Sequence, residues 1–392
     1  MSVATQSIHG ALAPIQLRRE DAKRLLTPAL AIYPQIVDSN IVATLRLLGD
    51  QPTRWRLHVK TAKLDAVMRR FVNHGIRQFK CATTLELLTV CQAGAEDVLV
   101  AYPSVGPRVK RIQEIAAQFP KVRISVLVEN KKQIDAWNKD KVGIFIDVNP
   151  GMDRTGISEL LTSDIVALAH EIKGGERRFA GLHYYDGHYR ELGPERRKLA
   201  AYAGYNRLLA IIQALQEMNI EVPEVVTSGT PTFHFALAFP GFKRTEFRHT
   251  VSPGTLVYND LTSLSHLDPG WGYAPGALVI TTVVSHPTLG VITCDAGYKS
   301  VSADSGFPNC SVWGHAELEP LRPSEEHMSI RVPEGKVVPN IGEILYLVPK
   351  HICPTVNNFD HALLLENGKV VDVVPVSARG REAPFLSASG TV

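Results

Sequence analysis

The sequence predicts an α/β fold in which eight parallel strands close into a barrel and an antiparallel β domain follows. Three observations carry that expectation. Between residues 56 and 258, eight short apolar segments rich in β-branched residues alternate with longer segments of helical period. After Asp260 the helical period disappears, and strand-like segments follow one another across Gly, Pro and Asn turns. No G-x-G-x-x-G follows the first of the eight strands, which argues against an open, doubly wound dinucleotide fold.

Residues 1–21 form a polar lead-in with a charged patch at Arg18, Arg19 and Glu20 and no apolar signal-peptide core. Residues 29–33 read as a strand that joins the later β domain, and a helix is expected over 37–48. The barrel strands are expected at 56–60, 76–82, 97–102, 123–128, 142–149, 179–186, 222–228 and 251–258. One intervening helix begins at Gly106-Pro107, with proline in the first turn, and sets Val109, Ile112, Ala116 and Phe119 on one face. The longest, over 195–219, carries Leu208, Ile211, Ile212 and Leu215 at helical spacing. The β domain is expected to hold strands at 277–285, 291–295, 329–332, 344–348 and 362–366. The expected division is therefore an N-terminal segment 1–34 that joins the β domain, a barrel over 35–260, and a β domain over 261–392.

Composition narrows the partners. A 392-residue chain with 45% hydrophobic and 21% charged residues is neither disordered, nor collagen, nor coiled coil. Its 42 basic and 39 acidic residues leave a net charge of +3. No basic stripe interleaves with aromatics, so no nucleic-acid partner is expected. No apolar run approaches the ~18 residues of a membrane helix, so no membrane partner is expected either. The five cysteines (Cys81, Cys91, Cys294, Cys310, Cys353) are odd in number, scattered and free of C-x-x-C spacing. A disulfide framework is not expected, and a reducing, cytoplasmic setting is the default.

In such a barrel, functional groups gather at the C-terminal ends of the strands. Lys60 ends an apolar strand there, where partial desolvation disfavours the ammonium and suits imine chemistry; a surface lysine is the alternative reading. Ser228-Gly229-Thr230 and Gly254-Thr255 end the last two strands, the usual place for a phosphate, and would otherwise be ordinary turns. Arg154 lies in the Gly-bracketed turn 151–156 and offers a planar fork to a phenolate or carboxylate, unless it is a solvated loop arginine. Tyr185 offers a ring to an aromatic ligand, or caps the barrel core. His351 and Cys353, two apart in a segment read as extended, share a face and can share a metal; imidazole with thiolate favours zinc. The alternative is a buried cysteine beside a satisfied histidine.

The motifs occur in one order: H-V-K-T at 58–61, K-C-A-T at 80–83, A-Y-P-S-V-G-P at 101–107, G-M-D-R-T-G at 151–156, Y-D-G-H at 185–188, S-G-T-P-T at 228–232, S-P-G-T at 252–255, D-A-G-Y-K-S at 295–300, E-E-H at 325–327 and H-I-C-P-T-V at 351–356. This ordered set resembles the D-threonine aldolase / D-serine dehydratase family of fold-type III pyridoxal-phosphate enzymes, over about residues 27–379. The resemblance implies an alanine racemase-like barrel with a C-terminal β domain, assembled as a homodimer. It implies that Lys60 carries pyridoxal 5'-phosphate covalently, that Arg154 holds the cofactor's phenolic oxygen, and that Tyr185 lies beside its pyridine ring. Ser228, Gly229, Thr230, Gly254 and Thr255 would surround the phosphate. His351 and Cys353 match the positions for a divalent metal (Zn, Mn or Mg), and Lys60 and His351 would be catalytic.

Two departures stand out. The aldolases place Asp two residues after the metal histidine, whereas the D-serine dehydratases place Cys there, as this chain does with Cys353. The phosphate loop carries Thr227-Ser228 where the aldolases have glycines. The resemblance implies a lyase that cleaves a D-3-hydroxy-α-amino acid, a small-molecule substrate, into glycine and an aldehyde. The alternative is a dehydratase of the D-serine or D-3-hydroxyaspartate type that forms a 2-oxo acid and ammonia. More distant readings are a racemase, for which no second base is evident, and a non-catalytic carrier of the cofactor, against which the long β domain argues.

Overall fold

The computed structural model describes residues 15–137, 142–175, 177–243 and 245–385. The lead-in and the expected N-terminal segment lie outside the described residues up to residue 14, as does the expected β domain from residue 386. The chain divides into two compact units. One comprises the described residues up to Thr44, Thr61–Val67 and Thr255–Arg379; the other comprises Leu45–Lys60, Met68–Gly254 and the described residues from Gly380. The first strand, β1 (Ala29–Ile32), belongs to the former unit.

The other unit is the barrel. Its strands are β2 (Leu57–His58), β3 (Gln78–Cys81), β4 (Asp97–Pro103), β5 (Arg123–Val128), β6 (Gly143–Asn149), β7 (Ile157–Ser158), β8 (Arg178–Tyr184), β9 (Glu224–Thr227) and β10 (Arg248–Val251). Eight of them pair side by side in the order β10-β9-β8-β6-β5-β4-β3-β2, all parallel, and the two-residue β7 adds to β6. A bridge between Trp55 and Val251, with the Arg56 N–H donating to the Val251 carbonyl at 2.9 Å, brings the ends of the row together and nearly closes the ring. The strands are buried on both faces, which is why they read as continuous apolar runs rather than as alternation. The helix expected after Gly106 runs over Pro107–Gln118 and buries Val109, Ile112 and Ile115; the longest runs over Pro194–Glu217.

The last barrel strand departs from expectation. It spans Arg248–Val251 rather than 251–258, and Thr255–Val257 is a 3-10 turn. Pro253 has no N–H to give to a ladder, so the apolar run Leu256-Val257-Tyr258 is buried as a turn and not as a strand.

Inside the ring the side chains form tiers. The lowest is charged: the fully buried Arg56 donates to Glu224 through Nε at 2.9 Å and a terminal nitrogen at 2.8 Å, and to Asp97 at 2.7 Å, while the Thr250 hydroxyl donates to Glu224 at 2.8 Å. Above it lies an apolar tier of Leu99, Leu127, Phe145, Ala180 and Val226. Above that, His58 pairs in register with Lys80, and Asp147 with His183. The Asp147–His183 register follows a one-residue slip in β8 at Gly181, a bulge that turns His183 onto Asp147.

The β unit holds β1 together with β11 (Ala277–Thr288), β12 (Val291–Cys294), β13 (Cys310–Val312), β14 (Glu319–Pro320), β15 (Met328–Arg331), β16 (Ile344–Pro349), β17 (His361–Glu366) and β18 (Lys369–Pro375). The path is β14-β15-β12-β11-β1-β17-β18, with β16 beside β11 and β13 beside β16. Every pair is antiparallel except β1 with β17. Val279, Val283, Ile292, Met328, Ile330 and Leu347 fill its core. The β13 and β14 strands are too short to leave a two-residue period in the sequence, and β18 is largely exposed. All five cysteines are free thiols. Among the described residues, no helix is long and apolar enough to cross a membrane.

Candidate active site

In the barrel unit, Tyr185 follows directly on β8, and three cations converge on its ring. Lys60 Nζ lies 5.8 Å from the ring centroid, Lys80 Nζ 5.3 Å, and the Arg154 guanidinium carbon 4.9 Å. Lys60 sits in the turn just after β2, and its backbone N–H donates to His58 Nδ1 at 3.3 Å. Lys80, on β3, is 2% exposed. Its Nζ lies 3.3 Å from His183 Nε2; His183 Nδ1 lies 2.7 Å from an Asp147 oxygen, and the Thr155 hydroxyl donates to the other Asp147 oxygen at 2.7 Å.

These contacts set the charges. Burial, then the charges of Lys60 and Arg154, hold the Lys80 amine well below the ordinary lysine range. Burial and the charges of Lys60 and Lys80 likewise hold His58 well down as a neutral ring. His183 is lowered by burial and by Lys80, against the pull of Asp147. Burial pushes Asp147 upward, but the His183 ring and the Thr155 hydroxyl hold it below the usual carboxylate range. The result is a positive, partly buried cluster whose nearest carboxylate is already engaged, which suits an anionic ligand.

A cradle lies beside it, at the ends of β9 and β10. Ser228 is fully buried with a φ of +60°, in the left-handed region, and its Oγ has no hydrogen-bond partner. Ser252, past the end of β10 and 2% exposed, has an equally unpartnered Oγ. Two buried hydroxyls left unpaired at adjacent strand ends are donors that a bound oxyanion would satisfy. The glycines are required by close approach: a Cβ at Gly229 would come within 2.9 Å of the Tyr185 ring, and one at Gly254 within 2.5 Å of the His58 carbonyl oxygen. Thr230 is buried.

Asp186 braces the cradle. It accepts from the Thr232 hydroxyl at 2.6 Å, from the Tyr205 hydroxyl at 2.9 Å and from the Gly229 backbone N–H. Burial raises its carboxyl to about 6 despite those bonds. Gly229 therefore gives its N–H to Asp186, and what it offers a ligand is the absence of a side chain.

In the β unit, His351 stands at the N-cap position of the short helix Ile352–Val356 without a side-chain cap bond, so the segment from Ile352 on is not extended as expected. Ile352 N–H donates to Asp260, anchoring the first turn. The pair still meets across that turn, where the Cys353 thiol hydrogen-bonds the His351 ring. His351 Nδ1 lies 2.6 Å from Asp304 Oδ2. Burial works against its protonation, but the Cys353 and Asp304 contacts raise His351 to about 9. Thr61 Oγ1 lies 3.0 Å from Cys353 Sγ, and Thr255 Oγ1 lies 3.7 Å from it. Among the described residues no group of three or more His, Cys, Asp or Glu is placed to hold a metal.

Sequence reading thus missed Lys80, Asp147, His183, Asp186, Ser252 and Asp304. Lys80 had a signal, a lysine inside an otherwise apolar strand, within a motif noted for other reasons. Asp186 lay in Y-D-G-H and Ser252 in S-P-G-T. Asp304, 47 residues from its partner, had none.

Two family models match. That of the alanine racemase N-terminal domain covers residues 33–261, and that of a serine dehydratase domain covers residues 276–365. A D-threonine aldolase from Arthrobacter sp. is 28% identical over 382 residues, 94% of this chain and 97% of the relative. A 3-hydroxy-D-aspartate aldolase from Paracoccus denitrificans is 26% identical over 393 residues, 92% of this chain and 94% of the relative. The crystal structure of a D-threonine aldolase from Filomicrobium marinum superposes with a TM-score of 0.82 at 24% identity, over 91% of this chain and 96% of that one, which shows the shared fold.

Proposed function

The chain belongs to the family of the alanine racemase N-terminal domain, and from that premise we propose that it is a pyridoxal-phosphate- and metal-dependent lyase of D-3-hydroxy-α-amino acids, cleaving them to glycine and an aldehyde. The observation that carries the proposal is the convergence of Lys60, Lys80 and Arg154 on the Tyr185 ring, beside a cradle with buried, unpaired hydroxyls. That donor set fits the cofactor. Lys60 would hold its aldehyde carbon and Arg154 its phenolic oxygen, Tyr185 would lie beside its pyridine ring, and Ser228, Gly229, Thr230, Gly254 and Thr255, together with Ser252, would surround its phosphate. When bound, the cofactor draws electrons from the substrate's α-carbon and so weakens the bonds to it.

The protein's own groups do the rest. The depressed Lys80 amine can take up or release a proton at Nζ, with His183 beside it held in place by the ionised Asp147, which makes the tier beneath Tyr185 a proton-handling floor. Asp186 keeps the cradle in shape. His351 and Cys353 would hold a divalent metal, with Asp304 orienting the histidine; the metal would polarise the substrate's β-hydroxyl. The imidazole–thiolate pair favours zinc over manganese or magnesium.

Relatives named as aldolases span nearly the whole chain, which supports carbon–carbon cleavage. The match to a serine dehydratase domain and the cysteine at position 353 favour the second reading, loss of water and then ammonia. Incubating the cofactor-loaded protein with D-threonine separates the two. Glycine and acetaldehyde are expected; 2-oxobutanoate and ammonia would replace the first reading with the second, and neither pair would overturn both.

A further inference from the structure

The barrel unit has a second cationic cavity, at the amino ends of its strands. It holds about 380 Å³ and is lined by Arg54, which closes the turn before β2, by Lys243 and Thr245 ahead of β10, and by Arg248 and His249 at the start of β10. Among the described residues, no acidic side chain lines it.

The three cations are not equivalent. Arg248 is tied to Glu224 and Asp97, the carboxylates that also hold Arg56. Arg54 is half-buried, and its guanidinium has, among the described residues, neither a hydrogen bond nor an ion pair. Lys243 is exposed, and its amine likewise has no partner among the described residues. A partly desolvated guanidinium without a counter-charge is costly unless something supplies one. His249 adds an independent observation. It is 7% exposed, its Nε2 lies 2.8 Å from the Thr227 hydroxyl, its ring packs on Phe242 at 4.2 Å, and its Nδ1 is buried with no partner. Burial and the nearby Arg54 charge push the imidazole down to about 3, so it stays neutral. If Thr227 donates to Nε2, Nδ1 carries the proton and is a donor without an acceptor.

We propose that this cavity binds a small oxyanion, a phosphate or carboxylate group, held by Arg54 and Lys243 with His249 Nδ1 as the neutral donor. This site is separate from the cradle at the strands' carboxyl ends and does not depend on the reaction proposed above. Its link to that cradle is short: His249 holds Thr227, and the next residue is Ser228.

The test is calorimetric titration of the cofactor-saturated protein, whose cradle is then filled, with inorganic phosphate and, separately, with acetate, at constant ionic strength. Saturable binding of either with Kd near or below about 1 mM is expected, and which one binds names the group. Arg54→Gln is expected to weaken it at least tenfold, the loss of one charge-assisted contact. Lys243→Gln, at an exposed position with little risk to folding, is expected to weaken it less. Binding that is absent, that survives both substitutions, or that disappears when the cofactor is added would overturn the proposal; the last outcome would place the anion in the cradle instead.

Discussion

Replacing Asp186 with alanine probes how the cradle is held, and the structure gives both the size and the pH dependence of the effect. The carboxyl is buried, accepts from Thr232 and Tyr205, and titrates at about 6. In the unfolded chain an aspartate titrates near 3.9. Between those values the folded protein binds the extra proton, so this group's contribution to stability is present at low pH and is lost as pH rises toward 6. Alanine leaves two buried hydroxyls and the buried Gly229 N–H without their acceptor, at roughly 1–3 kcal/mol each. It also abolishes the proton term, which from pH 8 to pH 5 favours the unsubstituted protein by about 1.4 kcal/mol. The expected penalty is therefore roughly 3–9 kcal/mol at pH 5 and about 1.4 kcal/mol smaller at pH 8. Urea unfolding at both pH values measures it, and the other titrating groups cancel in the difference between the proteins. A penalty equal at the two pH values, or larger at pH 8, would mean that Asp186 is ionised and stabilising throughout, and the account of the brace would fail.

Three further outcomes are expected. Arg56→Met removes the fully buried partner of Asp97 and Glu224, leaving them only the more exposed Arg248 and Arg123, and should cost about 3–5 kcal/mol by urea unfolding; a cost under 1 kcal/mol would show that the lowest tier is dispensable. Asp304→Ala should weaken zinc binding about 10–100-fold in competition with a chromogenic chelator, and unchanged affinity would show that His351 orients itself. Lys80→Met should leave the urea midpoint unchanged or raised, because a desolvated amine is removed, while turnover of D-threonine by the cofactor-loaded protein falls about 100-fold or more. Undiminished turnover would take Lys80 out of the proton path.

The barrel was legible because its strands, buried on both faces, leave unbroken apolar runs between amphipathic helices. Its last strand was misplaced because burial alone marks Leu256 and Val257, and a buried 3-10 turn looks like a buried strand until Pro253 is weighed as a ladder-breaker. His351 and Cys353 were paired on the premise of an extended segment. The helix that forms there tolerates Pro354, because its first turn needs no N–H from that residue. The long-range polar contacts were not legible. Lys80, Asp147 and His183 come from three strands, and their meeting depends on a one-residue slip that has no sequence period.

The β1 strand has a consequence for synthesis. It pairs with residues 277–280 on one side and 362–364 on the other, so it leaves the ribosome long before either neighbour exists. At roughly 5–20 residues per second, the roughly 250 residues to its first neighbour take roughly 10–50 s, during which Ala-Leu-Ala-Ile is a sticky ribbon with two open edges. Chains that stall or are cut before Ala277 should therefore accumulate as aggregates or chaperone clients even if the barrel portion has already collapsed.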